Sequence, residues 1–266
     1  MASETKLTPG GQISGNVLFY KQPEPLSPEM HKSLGVNRVD GPFGFAKEGH
    51  AVPLAVTEFS LAALSSPIIF VGDDKMPLAV MGLNPGENLY LREDGIFEAG
   101  IYVPAYIRRY PFVFANDSGA NQMILCIDRA ADFISEGGDL PFFNADNSPT
   151  EYTQNCIEFC NNYELERQRT NNFVQILKDL DLFELKSATH TPMNADGSAG
   201  EPQTVAEFWG VSEEKLNALP TDKLVELRNN GALMQIYAHL ISLHGWDKLI
   251  ALQIYKNAVA ADAAAG

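Results

Sequence analysis

The sequence predicts an α+β protein: a strand-rich antiparallel sheet or small barrel as the body, followed by a helical C-terminal half. Between Ala51 and about Asn144, apolar segments of roughly 4 to 8 residues alternate with turn signals, the pattern of successive strands. Beyond Ser148 the apolar residues recur instead at helical spacing. Before Gly49 the chain is rich in Gly, Pro, Ser and Lys, and Pro23, Pro25 and Pro28 argue against regular ladder pairing over most of it. The expected organisation is an extended N-terminal arm over 1–50, a strand-rich body over 51–146, and a helical region over 147–266 packed on that body, with a surface loop at 187–203.

The arm offers one short apolar run, Val17-Leu-Phe-Tyr20, and scattered anchors at Phe43 and Phe45. Candidate strands of the body are Ala51 to Val56, Ile68 to Val71, Leu78 to Leu83, Leu89 to Leu91, Phe112 to Phe114 and Met123 to Ile127. Between them, Gly72-Asp73-Asp74, Asn84-Pro85-Gly86, Glu93-Asp94-Gly95 and Asn116-Asp117-Ser118-Gly119 supply residues that tolerate turn dihedrals. A short helix is expected over Glu58 to Leu64, ended by Pro67.

Ser148-Pro149-Thr150-Glu151 combines a capping serine, proline at the first helical position and Glu three residues after the cap. It predicts a long helix, with an apolar stripe at Tyr152, Cys156, Phe159 and Tyr163 that resumes at Phe173, Ile176, Leu177 and Leu180. Either one helix or two broken near Thr170 fits that stripe. Ser187 to Gln203, with Pro192, Gly197, Gly200 and Pro202, reads as a surface loop. Thr204 to Gly210 and Ser212 to Leu219 read as short helices. Thr221 to His244 reads as one helix, with Leu224, Leu227, Met234, Tyr237 and Ile241 on one apolar stripe, Leu233, Ile236, Leu240 and Leu243 on the adjoining one, and only a narrow polar stripe in its second half at Gln235, His239 and Ser242. A helix apolar over most of its circumference is buried centrally or covered by a partner. Gly245 then precedes a further helix from Trp246 to Tyr255.

The 34 acidic against 19 basic side chains leave a formal charge of -15 with no compensating Lys/Arg run, which argues against nucleic acid as a partner. No apolar stretch approaches the roughly 20 residues that a membrane span needs, so no membrane insertion is expected. The start has neither a basic segment nor a continuous apolar one of the secretory kind, and cytoplasmic residence is the expectation. Cys126, Cys156 and Cys160 form neither a disulfide framework nor a metal quartet, and read as reduced, mostly buried thiols. His31, His50, His190, His239 and His244 make no zinc-hydrolase spacing. Neither a phosphate-binding Gly-rich motif nor a Gly-x-Ser-x-Gly elbow occurs, and no cofactor or metal is implied.

Val52-Pro-Leu54, Glu58-Phe59, Ala62-Ala63, Pro67-Ile-Ile-Phe70, Gly82-Leu83, Gly86-Glu-Asn-Leu89, Tyr102-Val-Pro-Ala105 and Arg108-Arg-Tyr-Pro-Phe112 occur in that order. With Cys126-Ile-Asp128, Gly231-Ala-Leu233 and Ile236-Tyr-Ala-His-Leu240 they resemble the bacterial SapC family over about Ala51 to Leu252. The resemblance implies a link to bacterial surface layers, from which the family takes its name, and carries over no catalytic residue.

Within these blocks, Arg108 and Arg109 are adjacent cations framed by Tyr106 and Tyr110 in an acidic chain. In a β conformation they would face opposite sides. One would then pair internally with Asp128 or Glu58 and the other would meet a peptide or small anionic ligand through bidentate hydrogen bonds; the alternative, which comes first, is that ion pairs of these arginines lock the block together. Three functional readings follow. The first is a non-catalytic binding or accessory protein of envelope, surface-layer or uptake biology, with Arg108, Arg109, Tyr106 and Tyr110 as ligand contacts. The second is an intracellular enzyme whose inter-lobe site anchors an anionic substrate, with His239 or Asp128 as proton carrier. The third is a structural or oligomeric protein that meets a second copy or a protein partner through the 221–244 helix.

Overall fold

The computed structural model describes residues 6–7, 13–14, 17–117, 122–193 and 198–265. The turn residues Ser118 and Gly119, and Gly197 of the expected loop, lie outside the described residues. The chain runs β1 (Lys6–Leu7), β2 (Ile13–Ser14), β3 (Pro23–Pro25), α1 (Pro28–His31), β4 (Leu34–Val36), β5 (Ala51–Pro53), α2 (Phe59–Ala62), β6 (Ile68–Val71), β7 (Met76–Val80), α3 (Ala105–Arg108), β8 (Phe112–Asp117), β9 (Gln122–Asp128), β10 (Ile134–Glu136), β11 (Leu140–Pro141), α4 (Glu151–Asp179), β12 (Phe183–His190), β13 (Gln203–Val211), α5 (Glu213–Asn217), α6 (Thr221–Asn229), α7 (Ala232–Ser242) and α8 (Gly245–Ala265). It is an α+β fold. Among the described residues the sheets are open and none closes into a barrel.

Two compact units are built from non-consecutive segments. One takes the described residues up to Ala46, together with Glu93–Ile96 and Ala105–Leu165; the other takes Lys47–Arg92, Phe97–Pro104 and those from Glu166 on.

In the first unit, strand order is β2-β1-β8-β9-β3, and the central β8/β9 pair is antiparallel with Phe112 opposite Ile127 and Phe114 opposite Leu125. Side chains alternate across a strand, so these four share a face. That face packs with Leu34, Val36, Ile134, Phe142 and Cys160 into one cluster, while Val113, Ala115 and Cys126 form a second cluster with Val17. Two of the prolines expected to oppose regular pairing over most of the arm lie in the short ladder of β3 with β9. Pro23 and Pro25 sit two apart, so their missing donors fall on one side of the strand, and β3 lies at the sheet edge where that side needs no partner. A smaller sheet, β10-β4-β11, places Gly35 between two neighbours.

In the second unit, the antiparallel sheet β12-β13-β6-β7-β5 is centred on Phe70, whose ring meets Phe59, Phe183 and His239 edge-on. Thr204 to Gly210, expected as a helix, belongs to β13, paired with β12 from Phe183 opposite Val211 to His190 opposite Gln203. Its Thr, Val, Phe and Trp residues suit a pleated surface better than a helical turn. The expected loop at 187–203 is shorter for the same reason: Ser187 to His190 continue β12 and bury Ala188. β12 ends the sheet, so its outward positions are solvated and their polar letters read as loop.

The long helix is continuous through Thr170, whose hydroxyl donates to the Glu166 carbonyl at 2.7 Å and accepts from Val56 N–H at 2.9 Å. Its start is displaced from Ser148 to Thr150. The Thr150 hydroxyl accepts from Thr153 N–H at 3.3 Å and donates to the Pro141 carbonyl at 2.7 Å, whereas Ser148 Oγ bonds Asp146.

Thr221 to His244 is two helices. Gly231 adopts φ 82°, a left-handed conformation that ends α6 and lets α7 leave in a new direction. In α7 the structure buries Ile236 of one apolar stripe and exposes the residues of the other. Met234 is 60% and Ile241 61% exposed, Tyr237 is exposed too, and the polar His239 and Ser242 are fully buried. The polar pair serves the first residue of β6: Ser242 Oγ accepts from Ile68 N–H at 2.9 Å, and His239 Nδ1–H donates to the Ile68 carbonyl at 2.9 Å. His239 Nε2 accepts from Val211 N–H at 3.0 Å. Both ring nitrogens are thereby used, and the ring is neutral. Burial lowers its pKa from 6.5 to about 4, with the Ile68 carbonyl opposing that shift.

Two expectations follow. Thr150→Ala should cost about 1 kcal/mol in urea unfolding and more than Ser148→Ala; the reverse order would return the cap to Ser148. For His239, the folded protein binds the proton only near pH 4 and the unfolded chain near 6.5. Its contribution is therefore complete above pH 6.5 and is lost as pH falls toward 4, by roughly 3 kcal/mol. His239→Gln keeps a donor and an acceptor but cannot titrate, so the stability gap between wild type and this variant should narrow over that interval; a constant gap would contradict the assignment.

Candidate functional site

Arg108 and Arg109 do not lie in a strand. Ala105–Arg108 forms one helical turn, closed by Arg109 N–H on the Ala105 carbonyl at 3.0 Å, so successive side chains diverge by about 100°. Tyr106 and Ile107 are buried, Arg108 is exposed, and Arg109 returns to the side of Tyr106 three residues earlier.

Arg109 is 7% exposed, and among the described residues no carboxylate lies within ion-pair distance of it. Tyrosine rings surround it: the guanidinium carbon is 4.2 Å from the Tyr106 centroid, 4.6 Å from Tyr163 and 5.9 Å from Tyr20. Nε has no hydrogen-bond partner, so the negative ring faces take the place of an acceptor. Burial pushes the Tyr20 phenol well above its ordinary value and raises that of Tyr106, while the arginine charge pulls each back. Burial also pushes the Cys160 thiol up to about 12.

The expected ion pair of this block with Asp128 or Glu58 is replaced by other partners for Asp128. Its buried carboxylate accepts from Lys21 N–H at 3.0 Å, Gln22 N–H at 2.7 Å, Ala130 N–H at 3.2 Å and the Tyr110 hydroxyl at 3.0 Å. Glu58 accepts from Ala55 N–H at 3.0 Å and the Tyr102 hydroxyl at 2.7 Å. Asp128 and His239, the two candidate proton carriers, thus each spend their polar atoms inside their own unit, His239 on backbone groups and Asp128 on backbone N–H groups and the Tyr110 hydroxyl.

Arg108 and Tyr110 line a cleft of about 300 Å³. Arg38, which sequence reasoning passed over, lines it as well, with Phe43, Phe45, Phe133 and Tyr152 among the aromatic residues. Arg38 is placed by backbone bonds, its own N–H to Asp139 Oδ2 at 3.0 Å and that of Asn37 to the Phe133 carbonyl at 2.8 Å. Phe43 follows Gly41, where a Cβ would meet the Asp94 carbonyl oxygen at 1.8 Å, so that side of the cleft depends on a glycine. Phe43 N–H then donates to Gly95 O at 3.1 Å. Tyr110 stacks on Phe45 with centroids 3.9 Å apart, and the guanidinium of Arg108 lies 5.4 Å from the Phe159 centroid. The signal in sequence was faint: Phe43 and Phe45 stand out as anchors, but nothing local joins Arg38 to Arg108.

Of the four expected contacts, the structure brings Arg108 and Tyr110 to the cleft and places Arg109 and Tyr106 in the buried cage. The fold and this site define an α+β protein with an aromatic cleft flanked by arginines. Among the described residues no helix is long and apolar enough to cross a membrane. The chain belongs to the SapC family, whose family model matches residues 26–249. No curated protein and no solved structure matches it.

The cage predicts unequal costs for adjacent arginines. Arg109→Ala should lose about 3 kcal/mol in denaturant unfolding through lost packing and cation–π contacts, and Arg108→Ala about 1 kcal/mol or less. Equal costs would contradict the cage.

Proposed function

We propose that this SapC family chain is a non-catalytic binding protein that holds a small anionic ligand in the Arg38 and Arg108 cleft. One observation supports the reading above the rest: in a chain of formal charge -15, the described residues lining this cleft include two arginines and no carboxylate. A guanidinium recognises a carboxylate through paired, charge-assisted hydrogen bonds, and an aromatic wall lowers the competition from water. The service in bacterial envelope, surface-layer or uptake biology rests on the family's association with surface layers. A peptide would enter through its terminal carboxylate.

Thermal unfolding across a panel of short peptides and small acids tests the proposal. A ligand at about 100 times its Kd should stabilise the protein by about 2.7 kcal/mol, visible as a rise in Tm. The shift should vanish in an Arg38→Ala, Arg108→Ala double variant whose own Tm is close to wild type. An undiminished shift in that variant would remove the site from the cleft.

A further inference from the structure

Resting on that reading, we propose that the ligand is a small aromatic acid, one flat ring joined by a short linker to a carboxylate. Size comes first. A dry cavity of about 150 Å³ accepts benzene, so a cleft of about 300 Å³ has room for a ring, a linker and an acid group.

The lining then selects the ring. Phe45 and Tyr110 are stacked at 3.9 Å with their planes 24° apart, and Phe133 meets Tyr110 edge-on at 5.8 Å and 83°. The Tyr110 hydroxyl is donated to Asp128, so the residue offers the cleft its ring. Val36, Val39, Pro42 and Leu140 extend the apolar lining. An inserted ring completes offset and edge-to-face geometry with these groups, which a saturated chain cannot do.

Polar selection comes from the two arginines. Asn37, the remaining polar amide of the lining, gives its Nδ2 to Ser135 Oγ at 3.0 Å. Arg38 is exposed, and among the described residues no carboxylate lies within ion-pair distance of its guanidinium. A ligand carboxylate supplies that acceptor. Arg38 is accordingly a specificity-determining residue that the family blocks around Arg108 do not contain.

Calorimetric titration with three probes separates the parts of this proposal: 3-phenylpropanoate, 3-cyclohexylpropanoate and 3-phenylpropanamide. The phenyl acid should bind most tightly, the cyclohexyl acid about five-fold more weakly, and the amide at least about ten-fold more weakly. Arg38→Gln, an exposed change, should erase the preference for acid over amide. Phe45→Leu should erase the preference for phenyl over cyclohexyl; should it melt early, Phe133→Leu provides the same comparison. Equal binding of the two acids overturns the aromatic inference and leaves the anion reading standing. Equal binding of phenyl acid and amide overturns both, and so does failure of both acids to bind at millimolar concentration.

Discussion

Arg109 carries a charge that cannot be shed at any accessible pH, and the fold takes it almost wholly out of water with no carboxylate beside it among the described residues. Tyrosine faces from three separate stretches, at Tyr20, Tyr106 and Tyr163, offset that cost and in doing so fix where those stretches meet. The N-terminal stretch is bound most of all. Tyr20 donates its hydroxyl to the Phe112 carbonyl, and the next two N–H groups go to Asp128. What reads as a loose arm is therefore held by a buried cation and a buried carboxylate that never touch each other.

The cleft is the outer consequence of the same turn. Because α3 is helical, Arg109 enters the cage while Arg108 stays exposed, and Tyr110 turns its ring to the cleft and its hydroxyl to Asp128. Phe19 touches both Tyr106 of the cage and Phe45 of the cleft. The cleft wall is thus backed by the caged core through direct ring contacts.

The second unit follows a different constraint with a similar outcome. Ile68 opens a buried strand with an N–H and a carbonyl that need partners, and α7 supplies them from Ser242 and His239. His239 also accepts from Val211 N–H, and the inward face carries the buried Ile236 as well, while Met234 and Ile241 are left exposed. In a helix apolar over most of its circumference, hydrophobic periodicity leaves open which stripe is buried, and here the buried backbone groups of Ile68 draw the stripe beside His239 and Ser242 inward.

Much of the fold was legible because it is local. Ile68 to Val71 is a strand, Phe112 and Met123 lie in paired strands, and the run after Thr150 is one helix, each from residues close together in sequence. The family blocks were equally legible, being an ordered set of short motifs. Three things were decided by tertiary structure: whether Thr204 to Gly210 coils or pairs, which face of α7 is buried, and which of two adjacent arginines is caged. Each depends on partners far along the chain, β12 for the first, Ile68 for the second, and Tyr20 and Tyr163 for the third. The cleft is the extreme case, since Arg38 and Arg108 lie seventy positions apart. By itself the sequence determined which segments can be strands or helices and the family to which they belong. Folding decided which charges are hidden and which stay exposed at the cleft, because desolvation and hydrogen-bond satisfaction are properties of neighbours in space.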